Sequence, residues 1–144
     1  MIEILIDEAC QESILINENI VHKIILKIFN DYKKDCLSLT IIISNDITLT
    51  KLKKDFFNKD VLTDVITFNL EEKNQPIEGE VYISFERIVE NAKIFNEQIS
   101  TELCRVIIHG VLHLIGFDDQ TNFEKEKMTN LENKYLKNVS KILK

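Results

Sequence analysis

His109 and His113 lie in the run His109-Gly110-Val111-Leu112-His113-Leu114-Ile115-Gly116-Phe117-Asp118-Asp119. It holds two of the chain's three histidines and two of its three glycines. A helix turns about 100° per residue, so side chains four apart stand one above the other and two imidazoles can grip one ion. Glycine adopts the left-handed conformation that ends a helix at little steric cost, so Gly116 predicts a turn that carries Asp119 back toward the histidines. The spacing His-x3-His-x5-Asp predicts a metal site with His109, His113 and Asp119 as ligands and one position left open for water. Zinc peptidases with this frame carry a glutamate general base directly after the first histidine. Gly110 occupies that place and has no side chain, which disfavours peptidase chemistry but leaves metal-assisted hydrolysis available.

The helix that presents these ligands must be buried, because Leu103, Cys104, Val106, Ile107, Ile108, Val111, Leu112, Leu114 and Ile115 cover most of its circumference. Glu102, Arg105, His109 and His113 are the exceptions and share an arc of roughly 80°, a polar seam on an apolar rod. Buried polar groups without partners cost ~2–7 kcal/mol, so the seam must face a cleft, a metal or itself. Gly110 in mid-helix costs ~1 kcal/mol against alanine, which predicts close approach by another backbone or a ligand. Ser100 or Thr101 is the expected helix cap, with Glu102 in the first turn complementing the dipole.

Periodicity places the remaining elements. Residues 2–6 read as a strand, and 17–34 as a helix with Ile20, Val21, Ile24, Ile25, Ile28 and Phe29 on one face and His22 at its solvated edge. Leu37–Ser44 reads as a strand, followed by a helix capped by Asp46 or Thr48 with Leu49, Leu52 and Phe56 inward. That helix carries Lys51, Lys53 and Lys54 outward, with Lys59 beyond its end, either a solvated face or a phosphate-tracking patch. Val61–Leu70 and Gly79–Ser84 read as antiparallel strands around a loop with the only proline, then a helix at Phe85–Phe95. The last helix is expected from Thr121 to Lys141, with Phe123, Met128, Leu131, Tyr135, Val139 and Ile142 inward. Interleaved helices and strands predict an α+β or α/β domain with a small, mostly buried sheet.

A chain of 144 residues and 16.8 kDa suits one compact domain over residues 1–144. With 44% hydrophobic and 29% charged residues it has an ordinary soluble composition, and no run reaches the ~20 apolar residues of a membrane span. The acids in Met1-Ile2-Glu3-Ile4-Leu5-Ile6-Asp7 replace the bases of a targeting peptide, giving a cytoplasmic expectation. Cys10, Cys36 and Cys104 are odd in number and far apart, so reduced and mostly buried thiols are expected rather than disulfides or a cysteine–zinc cluster. The net charge of −6 argues against a general nucleic-acid coat but leaves room for a local basic track.

The motif His109-Gly-x-Leu-His113-Leu-x-Gly116-Phe-Asp-Asp119, followed by Met128, resembles the signature of the YbeY endoribonucleases. The resemblance continues upstream through Lys59-Asp60-x-x-Thr63-Asp64-Val65-Ile66-Thr67-Phe68 and Gly79-Glu80-Val81-Tyr82-Ile83-Ser84, covering roughly residues 40–136. It implies a single α+β, zincin-like domain in which a small mixed sheet packs against helices around a buried metal-binding helix. It also implies a metal-dependent enzyme that cuts single-stranded RNA in rRNA 3'-end maturation and ribosome quality control. The expected partners are rRNA, the small ribosomal subunit and ribosomal proteins, with neither membrane nor DNA involved.

Three positions depart from that pattern. Asp119 stands where the family usually has a third histidine, Phe57 where it often has an arginine, and Glu80 where it usually has aspartate. Exchanging imidazole for carboxylate lowers the charge of a divalent site from +2 to +1, so one Zn²⁺ is the expected ion with Mn²⁺ a better competitor than usual. Arg105 and Lys53 are candidates for the missing phosphate contact. Asp64 and Glu80 are candidates for supporting the ligands or moving a proton. Two other readings stand beside the nuclease: a ribosome-assembly factor whose metal is structural, and a hydrolase of another substrate.

Overall fold

The computed structural model describes residues 1–8, 10 and 13–144. Among them run β1 (Ile2–Ile6), α1 (Glu18–Asp31), β2 (Cys36–Ser44), α2 (Asp46–Phe57), β3 (Val65–Asn69), β4 (Ile77–Ser84), α3 (Phe85–Ile94), α4 (Ile99–Leu114) and α5 (Asn122–Leu136). The strands form one sheet in the order β1-β2-β4-β3. β1, β2 and β4 are parallel, and β3 closes the edge antiparallel to β4, as the spacing of the two runs predicts. This is the expected α+β architecture, a small mixed sheet with α4 against it.

Alternation fixes the two faces of the sheet. Leu39, Ile41 and Ile43 of β2 and Ile77, Val81 and Ile83 of β4 are buried in one core with Val21, Ile25 and Ile28 of α1 and the apolar faces of α4. Leu103, Ile107, Ile108, Val111 and Leu112 lose essentially all contact with solvent, and each such side chain contributes ~1.5–3 kcal/mol by burial. No helix among the described residues is long and apolar enough to cross a membrane. Cys104 is buried, whereas Cys10 and Cys36 are half-buried, so one thiol and not most of them lies in the core.

Several local expectations are corrected. Asn45, and neither Asp46 nor Thr48, caps α2 by accepting from the Thr48 amide, while Asp46 instead accepts from Ser84 and Arg87. Gln98 precedes α4 without a side-chain cap, and Ser100 is buried, its Oγ accepting from the amides of Ile142 and Leu143. α5 stops at Leu136 because Lys137 is extended, which lets the tail turn and bury Ile142. Phe56 and Phe123 are exposed rather than inward, Phe56 leaning on Phe68 of β3. His22 is half-buried, with its Nε2 enclosed.

Two glycines explain how tightly α4 lies on the sheet. A Cβ on Gly110 would stand 2.7 Å from Val81 Cγ1, and one on Gly79 would stand 2.9 Å from Leu114 Cδ1. The close approach expected at Gly110 is thus made by a side chain of the sheet, Val81, rather than by a backbone or a ligand. Gly110→Ala should cost about 1–3 kcal/mol through overpacking, outweighing a helix-propensity gain of about 1 kcal/mol. Val81→Ala removes the obstacle, so the double variant should lose less in urea unfolding than the sum of the single losses. Additive losses would contradict this account of the glycine.

Candidate metal centre

α4 stacks its two histidines as their spacing requires, with ring centroids 4.5 Å apart and Nε2 atoms 3.0 Å apart. Beyond Ile115 the helix ends in a Schellman turn: the Gly116 amide donates to His113 O, and the Phe117 amide to Leu112 O, with Gly116 at φ +110°. Asn69 of β3 donates to the otherwise open Leu114 carbonyl and ties this turn to the sheet. The reversal brings Asp119 Oδ2 to 3.5 Å from His109 Nε2 and 3.6 Å from His113 Nε2.

These three atoms fit one ion. Donors held about 2.0–2.1 Å from a tetrahedral metal lie about 3.3 Å from one another, and the edges here are 3.0, 3.5 and 3.6 Å. Nitrogen and carboxylate donors match zinc or manganese, and the three residues retain partial solvent exposure. The three expected ligands are therefore brought together by one helix and the turn that ends it.

The seam continues as polar contacts between α4 and α5. Glu132 Oε2 lies 2.7 Å from His109 Nδ1, so the neutral ring donates through Nδ1 and turns its Nε2 lone pair toward the ligand cluster. Arg105 lies 3.7 Å from both Glu132 and Glu102 and donates to Asn133 Oδ1 at 2.9 Å. A cavity of about 740 Å³ opens beside them, lined among others by Asp64, Asn91, Glu102, Arg105, His109 and Asp119. Asn91 of α3 donates to Asp64 at 3.2 Å.

Burial alone would push the His109 imidazole down, but the hydrogen bond to Glu132 and the charges of Glu132, Asp119 and Asp64 hold it above its usual value. Burial raises the Asp64 carboxyl against the pull of His109. Burial also lifts the Glu102 carboxyl to about 7, with Arg105 opposing.

Of the candidates beyond the ligands, Asp64 and Arg105 line the cavity and Glu80 does not. Gly79 and Val81 face α4, so Glu80 between them projects from the opposite face of the sheet, where burial first and the Glu80 charge second raise the Tyr82 hydroxyl. Lys53 lies over the Phe57 ring, 4.7 Å from its centroid, and is absent from the cavity lining. Glu132, Asn133 and Asn91 escaped the sequence reading. Glu132 was legible: Met128, Glu132 and Tyr135 stand at i, i+4 and i+7 on the buried face of α5.

Comparison with known proteins identifies the family. The family model described as "Endoribonuclease YbeY" matches residues 7–140. Relatives bearing that name include one from Amoebophilus asiaticus, 43% identical over 69% of this chain and 68% of its own. Another, from Borreliella afzelii, is 35% identical over 86% of this chain and 88% of its own. A solution structure of a Thermotoga maritima protein superposes with a TM-score of 0.61 at 29% identity, covering 96% of this chain and 89% of that one.

The buried Glu102 yields a pH prediction. Its carboxyl rises from an ordinary 4.5 to about 7 on folding, so the folded chain binds this proton more tightly than the unfolded chain. The group's contribution to stability is therefore present at acid pH and is lost as pH rises through about 7. In urea unfolding of the metal-free chain on either side of neutrality, Glu102→Gln should lose less stability toward alkaline pH than the parent. Parallel pH profiles would contradict the assignment.

Proposed function

The chain belongs to the YbeY endoribonuclease family, and from that membership and the ligand triangle we propose that it is a metal-dependent endoribonuclease cutting single-stranded RNA. The observation that carries the reading is the set of three donor atoms beside an open cavity. A structural zinc site ordinarily has four protein ligands, so a three-donor set on a cavity favours chemistry over scaffolding. A divalent ion bound there, with Zn²⁺ first and Mn²⁺ second, supplies Lewis acidity to the scissile phosphodiester and makes water nucleophilic.

The chain's own residues supply the rest. His109, His113 and Asp119 hold the ion. Asp64, raised by burial and hydrogen-bonded by Asn91, is suited to exchange a proton with the reacting groups. Arg105 and Lys125 are the cationic side chains on the cavity wall that a backbone phosphate would meet. Carboxylates of Asp64, Glu97, Glu102, Asp119 and Glu132 also line it, so a polyanion enters readily only when a cation offsets them. The biological setting we assign is rRNA 3'-end maturation and ribosome quality control at the small subunit in the cytoplasm.

Purified protein incubated with single-stranded rRNA fragments provides the test. Cleavage should require a divalent ion, stop with a chelator, and fall at least ~100-fold in His113→Ala, the scale of losing a principal electrostatic group. Cleavage unchanged in His113→Ala would overturn the proposal.

A further inference from the structure

Glu132 occupies a place where α5 would ordinarily put a hydrocarbon. Met128, Glu132 and Tyr135 are the buried residues of that helix, and Glu132 is 7% exposed. A carboxylate at a core position is costly unless paired on both oxygens. Here Oε2 meets His109 Nδ1 at 2.7 Å, and Oε1 faces the Arg105 guanidinium at 3.7 Å. Arg105 is itself fixed by Asn133 at 2.9 Å and by Glu102 at 3.7 Å, so the carboxylate cannot swing away without breaking a connected set of contacts across α4 and α5.

We propose that Glu132 is the positioning residue of the metal centre: it fixes the His109 tautomer and ring orientation that leave Nε2 free to ligate, and Arg105 holds it there. The chemistry is that of a carboxylate–histidine–metal relay, in which the outer carboxylate orients the ring and strengthens it as a donor. Arg105 thereby has a duty distinct from contact with phosphate. Its ion pair with Glu132 couples the cavity wall to the ligand cluster. This inference rests on the metal reading of the preceding subsection.

The test reads metal affinity rather than turnover. Zn²⁺ binding to the full-length chain is measured by competition with a chromophoric chelator in the parent, Glu132→Ala, Glu132→Gln, Arg105→Ala and the Glu132→Ala/Arg105→Ala pair. Glu132→Ala should weaken binding by about 10–100-fold. Glu132→Gln keeps an acceptor for Nδ1 and should recover part of the loss. Arg105→Ala should also weaken binding, but add little once Glu132 is gone, because it acts through that residue.

Nitrogen-15 spectra of the metal-free chain, under alkaline conditions that leave the ring neutral, should show His109 protonated on Nδ1 in the parent and a mixture of tautomers in Glu132→Ala. This readout would not move if Glu132 served packing alone. Parent-like zinc affinity and an unchanged tautomer in Glu132→Ala, with His113→Ala impaired, would overturn this inference and leave the metal site standing. A parent chain that binds no zinc would overturn both.

Discussion

Everything at the site follows from placing four polar side chains on a helix that the core otherwise encloses. α4 buries Leu103, Ile107, Ile108, Val111 and Leu112 completely, yet along one line it carries Glu102, Arg105, His109 and His113. Leaving such groups unpaired would cost ~2–7 kcal/mol each, comparable to the whole stability of a small domain. Partners are therefore compulsory. α5 provides Glu132 and Asn133, and the turn after α4 provides Asp119. The two histidine Nε2 atoms and the Asp119 carboxylate converge within 4.8 Å of one another.

The sheet sets the precision of that convergence. Gly110 and Gly79 allow α4 and β4 to approach more closely than any other residue pair would permit, so the helix cannot slide without driving Val81 or Leu114 into backbone. Asn69, at the end of β3, then pins the helix's last carbonyl. Rigidity at the helix is transferred to the ligand cluster because both histidines sit within two turns of that anchor.

The clustering of His109, His113 and Asp119 was legible in the sequence because its signal is local: two histidines one helical turn apart, and a glycine whose left-handed φ reverses the chain. The seam was legible for the same reason, since periodicity assigns faces. What periodicity does not report is which neighbour covers a face. Phe56 and Phe123 follow apolar spacing but stay largely exposed, whereas Glu132, a charged residue in register with Met128 and Tyr135, is buried. Caps were displaced for a related reason. Asn45 caps α2 while Asp46 accepts from Arg87 and Ser84, and Ser100 receives the chain's C-terminal segment instead of capping α4. Glu80 lies off the cavity because a strand alternates its faces, and Gly79 and Val81 beside it take the face that meets α4.

We propose that His109, His113 and Asp119 together hold one divalent ion. Anomalous diffraction from crystals grown with zinc tests it most directly. One peak is expected within bonding distance of His109 Nε2, His113 Nε2 and an Asp119 oxygen, with His109 Nδ1 still on Glu132. A peak elsewhere, or one bound by the histidines with Asp119 turned to solvent, would contradict it.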